Sequence, residues 1–433
     1  MSDKKQFYRF VIPSIGSMLV TGLYFVVDGI FVGRGVGTNG LAAVNIAVPF
    51  ISLLTAISMM ITMGGATLTS ISFGKGENKK ANNYFNTSLL LVLLFSLGMT
   101  AISVLFPTQL VKFLGASNML IESTATYLKY YVIFGIFLCG SSTLSAFVRN
   151  DGNPQLAFWG MIIGAISNVF FDWLFIFPLQ MGIKGAAIAS GLGQILACIV
   201  LSAHFMCRKG VLKIETIARE KGIITQIIKA GIPEFVTQMS QPVTILCYNN
   251  IVLNTFGEIG VSAFSVISYI IVVILAVFIG LAQGIQPLLS RSIGEGNREK
   301  ENFFFQKGLQ FNILLSCIIY LIMLIFGKAI ISIFNNDAEL IKTAYNCIII
   351  YGISFIFASV NIVYTTYNLA TKNTKVAMMI AVLRSFICNS IFIFLMPALF
   401  GINMVWTGMI VAELVVMIIA ITQNKKSKEA SLI

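Results

Sequence analysis

Twelve windows of about 20 apolar residues each leave this chain little choice of fold. They run near 10–33, 42–68, 84–106, 125–147, 155–177, 186–206, 226–253, 261–289, 308–326, 343–369, 378–400 and 403–422. Segments of that length cross a bilayer as helices, because hydrocarbon offers the backbone no other hydrogen-bond partners. The expected fold class is an all-α polytopic membrane protein with twelve transmembrane helices. Charged residues make up only 11% of the chain, against about 25% in soluble domains.

The net charge of +12 would suit nucleic acid, but the Lys and Arg residues cluster in short loops and at the termini. Alternate loops differ sharply. One side holds Lys4, Lys5, Arg9, Lys75, Lys79, Lys80, Arg149, the basic run 208–229, Arg291, Arg298, Lys300, Lys307, Lys372, Lys375 and Lys425-Lys426, while the other holds little beyond Arg34, Lys112, Lys129, Lys184, Lys328 and Lys342. The positive-inside rule then expects a multi-pass cell-membrane protein with both termini and the central loop cytoplasmic. Seven cysteines without paired spacing indicate neither a disulfide framework nor a zinc site.

The sequence repeats itself at a shift of 220 residues. Ile12-Pro13 answers Ile232-Pro233, Gly40 and Ala43 answer Gly260 and Ala263, Gly64 answers Gly284, and Ser72-x-Gly74-x-Gly76 answers Ser292-x-Gly294-x-Gly296. Asn153 matches Asn373, Asn168 matches Asn389 one residue further on, and Gly182-Ile183 matches Gly401-Ile402. Six spans per copy keep the halves parallel in the membrane, with pseudo-two-fold symmetry between them. The expected division is an N-terminal six-helix lobe over 1–207, a cytoplasmic linker over 208–225 and a C-terminal six-helix lobe over 226–433. The Gly74-Lys75-Gly76 and Gly294-Glu295-Gly296 turns lack a preceding strand and a Lys-Ser/Thr sequel, so they read as helix ends rather than phosphate loops.

Two carboxylates lie deep in apolar sequence. Asp172 is in the fifth span and Asp28 in the first. An acid at the bilayer centre costs roughly 2.5–3.5 kcal/mol, so each must face protein or water, and such residues mark ion pathways. Asn168 lies four residues before Asp172, one helical turn away on the same face. The blander reading of Asp172 is an acid that merely bonds a neighbouring helix.

Around these residues the chain resembles the multidrug and toxic compound extrusion (MATE) family, nearest its DinF/MepA-like branch. The resemblance rests on Asp28-x-x-Phe31-Val32-Gly33, Gly37-x-x-Gly40-Leu41-Ala42-Ala43 and Pro49, on Arg149-x-x-Gly152-x-Pro154, on Asn168-x-x-x-Asp172, and on Gly182-x-x-Gly185-Ala186-Ala187-Ile188-Ala189. It implies a secondary antiporter that exports organic, commonly cationic, compounds in exchange for H+ or Na+, with no cofactor beyond that ion. It also implies a cation site of Asp28, Asn168, Asp172 and Ser190, the last standing where Thr is expected. Hard oxygens of this kind suit sodium, and desolvated carboxyls suit protons equally.

In the second half Tyr248 and Asn249 fall where Asp28 would map, and Gln283 stands where the branch often carries Glu. Gln283, Gln286, Asn389 and Glu413 are the candidate substrate-cavity residues; each amide has helix packing as its competing role, and Glu413 has pairing with Arg384. Tyr24, Phe147, Phe158, Trp159, Met161 and Tyr269 are candidates for an adaptable aromatic wall, and His204 reads as an interfacial residue beside Arg208. The expected partners are small organic cations and membrane lipid, with no nucleic acid, and the protein is expected to act as a monomer. The second reading is a flippase for lipid-linked oligosaccharide or polysaccharide. An enzyme is expected least, since no nucleophile–base pair, metal cluster or nucleotide loop is legible.

Overall fold

The computed structural model describes residues 2–217, 220–334 and 337–430, without the side chains at 38, 39, 41, 241, 242, 246, 249, 250, 253–259, 261–263, 402, 403 and 427–430. The side chains of Asn249, Ala263 and Ile402, used in the alignment above, therefore lie outside it. Among the described residues the regular structure is entirely helical. The first half contains α1 (Asp3–Gly35), α2 (Thr38–Gly74), α3 (Asn78–Leu105), the short α4 (Pro107–Phe113), α5 (Ile121–Ile133), α6 (Gly135–Asn150), α7 (Pro154–Ile176) and α8 (Gly182–Met206). The second contains α9 (Ile223–Gln238), α10 (Ser240–Gly294), α11 (Arg298–Ser332), α12 (Ala338–Gly352), α13 (Ser354–Ala370), α14 (Thr374–Val382), a π-helical turn (Leu383–Ile387), α15 (Cys388–Phe400), a 3-10 turn (Ile402–Thr407) and α16 (Gly408–Ala430).

Among the described residues nine helices are long and apolar enough to cross a membrane, and two further spans are bent pairs: α5 with α6 at 45° and α12 with α13 at 44°. The shared bend is the repeat made visible. The seventh and eighth predicted spans both fall within α9 and α10. The Tyr248 and Phe264 rings stack 4.9 Å apart, whereas 16 residues of straight helix would separate them by about 24 Å. The helical run therefore doubles back between them.

The π turn accounts for the irregularity in the repeat. Asn153 and Asn373 are 220 residues apart and Asn168 and Asn389 are 221 apart; the turn Leu383–Ile387 lies between the second-half pair and absorbs the extra residue.

Each half lends the near end of its first helix to the core of the other. Phe7, Phe10 and Val11 of α1 belong to a core cluster otherwise built from the second half, including Leu281, Phe304 and Tyr364. Ile223, Ile227 and Ala230 of α9 enter the corresponding first-half cluster with Leu68 and Tyr84. Apolar periodicity shows that these residues are buried but not in which lobe, so this exchange was not legible in the sequence.

Glycine permits the close crossing at this end of the bundle. A Cβ on Gly64 would run into the backbone carbonyl of Ile227, and one on its repeat partner Gly284 would lie 2.8 Å from Cα of Val11. Gly74 and Gly294, also repeat partners, cross each other, and a Cβ on Gly294 would stand 2.9 Å from Cα of Gly74. The lobes are thus pressed together where the N-terminus and the linker lie, called the linker end below. Gly64→Val is expected to force α2 from α9 and lower stability by about 1–3 kcal/mol, read as a fall in detergent unfolding midpoint. Gly98→Ala, where a Cβ would meet nothing within 4 Å, should leave the midpoint unchanged.

The first part of the linker is strapped to the first lobe. Asn86 donates to the Lys213 carbonyl at 2.9 Å and accepts from the Glu215 N–H at 3.1 Å. Asn82 accepts from the Lys213 N–H at 2.9 Å. Asp151 accepts from the Val211 N–H at 2.8 Å and also from Leu212. His204 corrects the sequence expectation: it is 1% exposed and lies 2.9 Å from Asp151 through Nε2, so it is a buried partner of the strap's anchor rather than an interfacial residue.

Candidate cation site and lobe interface

Asp28 stands seven residues before the end of α1, and Asn168 and Asp172 occupy one face of α7, towards the end of each helix that is remote from the linker. Ser190 projects from α8. The structure brings all four together. The Asp28 and Asp172 carboxyls face one another closely enough to interact directly, and Asn168 adjoins Asp172. Asn168 Nδ2 donates to Ser190 Oγ at 3.4 Å. Glycines make room: a Cβ on Gly193 would press on Asn168, and one on Gly191 would collide with the Phe134 ring, which sits at the α5/α6 bend.

Asp172 is 0% and Asn168 1% exposed, while Asp28 keeps partial exposure. Among the described residues, Asp28 Oδ1, Asn168 Oδ1 and both Asp172 carboxyl oxygens are buried without a hydrogen-bond donor. Two facing carboxylates repel, so this arrangement requires a proton or a small cation to be shared between them. Four donor-less oxygens fit such a cation.

Tyrosines form the wall. Tyr24 and Tyr127 lie near both acids, and Tyr131 lies near Asp28. A small cavity beside Ser190 is lined by Tyr24, Tyr131, Phe134 and Gln194. Tyr131 was missed in the sequence, although a signal existed: Tyr24 lies four residues before Asp28, and Tyr127 and Tyr131 are also four apart, so each pair shares a helix face. Tyr269 reaches the neighbourhood from the second lobe, its hydroxyl 3.5 Å from where a Cβ on Gly29 would stand. Phe147 and Trp159 are not part of this wall. Phe147 is 0% exposed and packs on Phe85, and Trp159 is 57% exposed on the outside of the bundle.

The same positions in the second lobe are filled by apolar groups. Asp28 corresponds to Tyr248, Asp172 to Ile393 and Ser190 to Met409, and all three belong to one hydrophobic cluster. Tyr248 stacks against both Phe264 and Trp406, with ring centres 4.9 and 5.7 Å away, and those two rings also touch, 6.0 Å apart. Asn389, the counterpart of Asn168, donates to Thr244 at 3.0 Å.

The remaining cavity candidates are placed apart from one another. Arg384 Nε donates to Glu413 Oε1 at 2.7 Å, and Asn361 donates to Glu413 Oε2 at 2.7 Å. Glu413 is 0% exposed. Arg384 stands in the π turn, so the extra residue of the second half belongs to the turn that neutralises this acid. Gln283 and Gln286 lie in the interface between lobes: Gln283 accepts from Arg149 Nη2 at 2.8 Å, and Gln286 donates to Thr67 at 3.0 Å.

Known proteins carry the same plan. Multidrug export protein MepA of Staphylococcus saprophyticus is 21% identical over 94% of this chain and 90% of its own length. MepA of Staphylococcus haemolyticus is 22% identical over 96% of this chain and 94% of its own. Among solved structures, a MATE protein in complex with MaL6 superposes with a TM-score of 0.94 at 19% identity, over 99% of this chain and 97% of that one. An outward-facing multidrug resistance MATE family transporter of the MOP superfamily superposes with a TM-score of 0.93 at 20% identity, with the same coverage. The sequence pattern of the MatE family matches residues 13–174 and again 233–395. The two matches begin 220 residues apart and end 221 apart, so the second carries the same single extra residue. This chain therefore belongs to the MatE family.

Proposed function

We propose that this protein is a secondary active antiporter that exports organic cations in exchange for H+ or Na+, with Asp28, Asn168, Asp172 and Ser190 as the seat of the coupling ion. The observation that carries the reading is the facing pair of carboxyls, three of whose four oxygens are buried without a donor among the described residues. The names of the MepA relatives support multidrug cargo. The basic residues of the linker end support a cytoplasmic location for it, with both termini inside. On that orientation the lobes are closed towards the cytoplasm.

α1 supplies a mechanical link. Its first turns are fixed in the core of the second lobe, while Asp28, near its other end, faces α7 of the first. Filling the site draws the far end of α1 towards Asp172, and the near end transmits that movement to the other lobe. A small shift can favour one of two packings because packed interfaces do not deform continuously.

The test is efflux of a panel of fluorescent organic cations from proteoliposomes under a pH gradient alone and a sodium gradient alone. One of the two gradients is expected to drive export; transport indifferent to both would overturn the antiporter reading. An ion exchanged for a monovalent cation moves no net charge. A second coupling ion would add about 2.3 kcal/mol per 100 mV, so a response of the driven flux to membrane potential reports the stoichiometry.

A further inference from the structure

Arg149 ends α6 at the linker end, 4% exposed, and its side chain crosses from the first lobe to the second. Nη2 donates to Gln283 Oε1 at 2.8 Å. Nη1 is buried without a hydrogen-bond partner, and among the described residues no ion pair includes Arg149. A buried cation paired only with a neutral amide is a costly thing for a fold to keep.

The repeat supplies an internal control. In the second lobe the positions of Arg149 and Asn150 are taken by Leu369 and Ala370, and in the first lobe those of Gln283 and Gln286 are taken by Met63 and Ala66. All four are buried apolar residues. The same architecture is therefore completed without charge on one side of the pseudo-axis, and packing alone does not demand the arginine. Around it runs a polar seam: Asn150 donates to the Ala66 carbonyl at 2.8 Å, and Gln286 bridges Thr67 and Ser290.

The seam is far from the cation site. Gln283 adjoins Gly284, which packs on Val11, and Asp28 lies 17 residues further along α1, roughly 25 Å at the helical rise.

We propose that Arg149 is the electrostatic seal of the closed end: its fixed positive charge keeps the coupling ion and cationic cargo from passing between the lobes at the linker end. In a site shielded from water a like charge is excluded strongly, as in pores that use an arginine to bar cations. When the lobes part, the bond to Gln283 breaks and water screens the guanidinium, so cargo can enter. The inference rests on the exporter reading for what is excluded, but its test needs no cargo.

Sodium and chloride leak are measured separately in proteoliposomes without substrate. Arg149→Gln is expected to raise sodium leak on the order of ten- to a hundred-fold, and Arg149→Lys is expected to stay tight. Gln283→Ala opens the seam but keeps the charge, so its leak should favour chloride over sodium. Because a truncated buried arginine can unfold, Arg149→Met, which keeps most of the stem volume, is run beside Arg149→Gln, with size-exclusion profiles for both. A sodium leak in Arg149→Gln and Arg149→Met equal to that of the unmodified protein would overturn the proposal, as would a Gln283→Ala leak that favours sodium. Neither result bears on gradient-driven export, so the two readings fail separately.

Discussion

Asp172→Asn is expected to abolish ion-driven export while leaving the protein folded, and at least as stable as before. The carboxylate lies 0% exposed beside the Asp28 carboxyl, and neither of its oxygens has a donor among the described residues. On the proposed reading the two acids hold the coupling ion together, and removing one of them weakens binding by about 3 kcal/mol, a factor of roughly 100 in affinity. A site that no longer fills at working ion concentrations cannot couple. Stability runs the other way, because the substitution removes a repulsion that burial makes worse. In everted vesicles, gradient-driven accumulation of a fluorescent cation should fall to background, and the detergent unfolding midpoint should hold or rise. Asp28→Asn should behave alike. Full transport in both variants would leave the exchange without a seat, and loss of transport with a lowered midpoint would mark the pair as structural.

Much of this site was legible because it depends on local spacing. Two acids in apolar sequence, and an amide one turn before one of them, need no tertiary information to stand out, since hydrocarbon makes each conspicuous. The doubled six-span plan was legible for the same reason, as twin runs of length and hydropathy. What stayed hidden depends on which surface meets which. The entry of Phe7, Phe10 and Val11 into the opposite lobe, the contact of Arg149 with Gln283 across 134 residues, and the burial of His204 against Asp151 are long-range pairings that periodicity does not encode. The π turn is intermediate. Its trace was present as the step from 220 to 221 between the Asn153 and Asn168 pairs, but a one-residue insertion reads as a loop until the helix is seen to absorb it.

The asymmetry between lobes leads to the second large effect. Arg384→Met should cost about 3–5 kcal/mol, because it leaves Glu413 as a buried charge whose remaining side-chain partner is Asn361. Glu413→Gln should cost a similar amount for the mirror reason, stranding an 11% exposed guanidinium. The double variant removes both charges and should recover most of the loss, since replacing a buried pair with neutral groups of similar volume is often close to neutral. A double-mutant cycle from unfolding midpoints in detergent would then give a coupling of 2 kcal/mol or more, at about the upper range for residues in direct contact. Additive single costs would show that the 2.7 Å contact contributes little. Transport by the folded double variant then decides the role of the second lobe. With Tyr248, Ile393 and Met409 filling the counterpart of the cation site, the described side chains of that lobe place no carboxylate there, and the acid of that lobe is paired with Arg384 instead. Retained efflux in the double variant fits a single coupling seat in the first lobe. A stable double variant that no longer transports would instead make Glu413 a working part of the cavity.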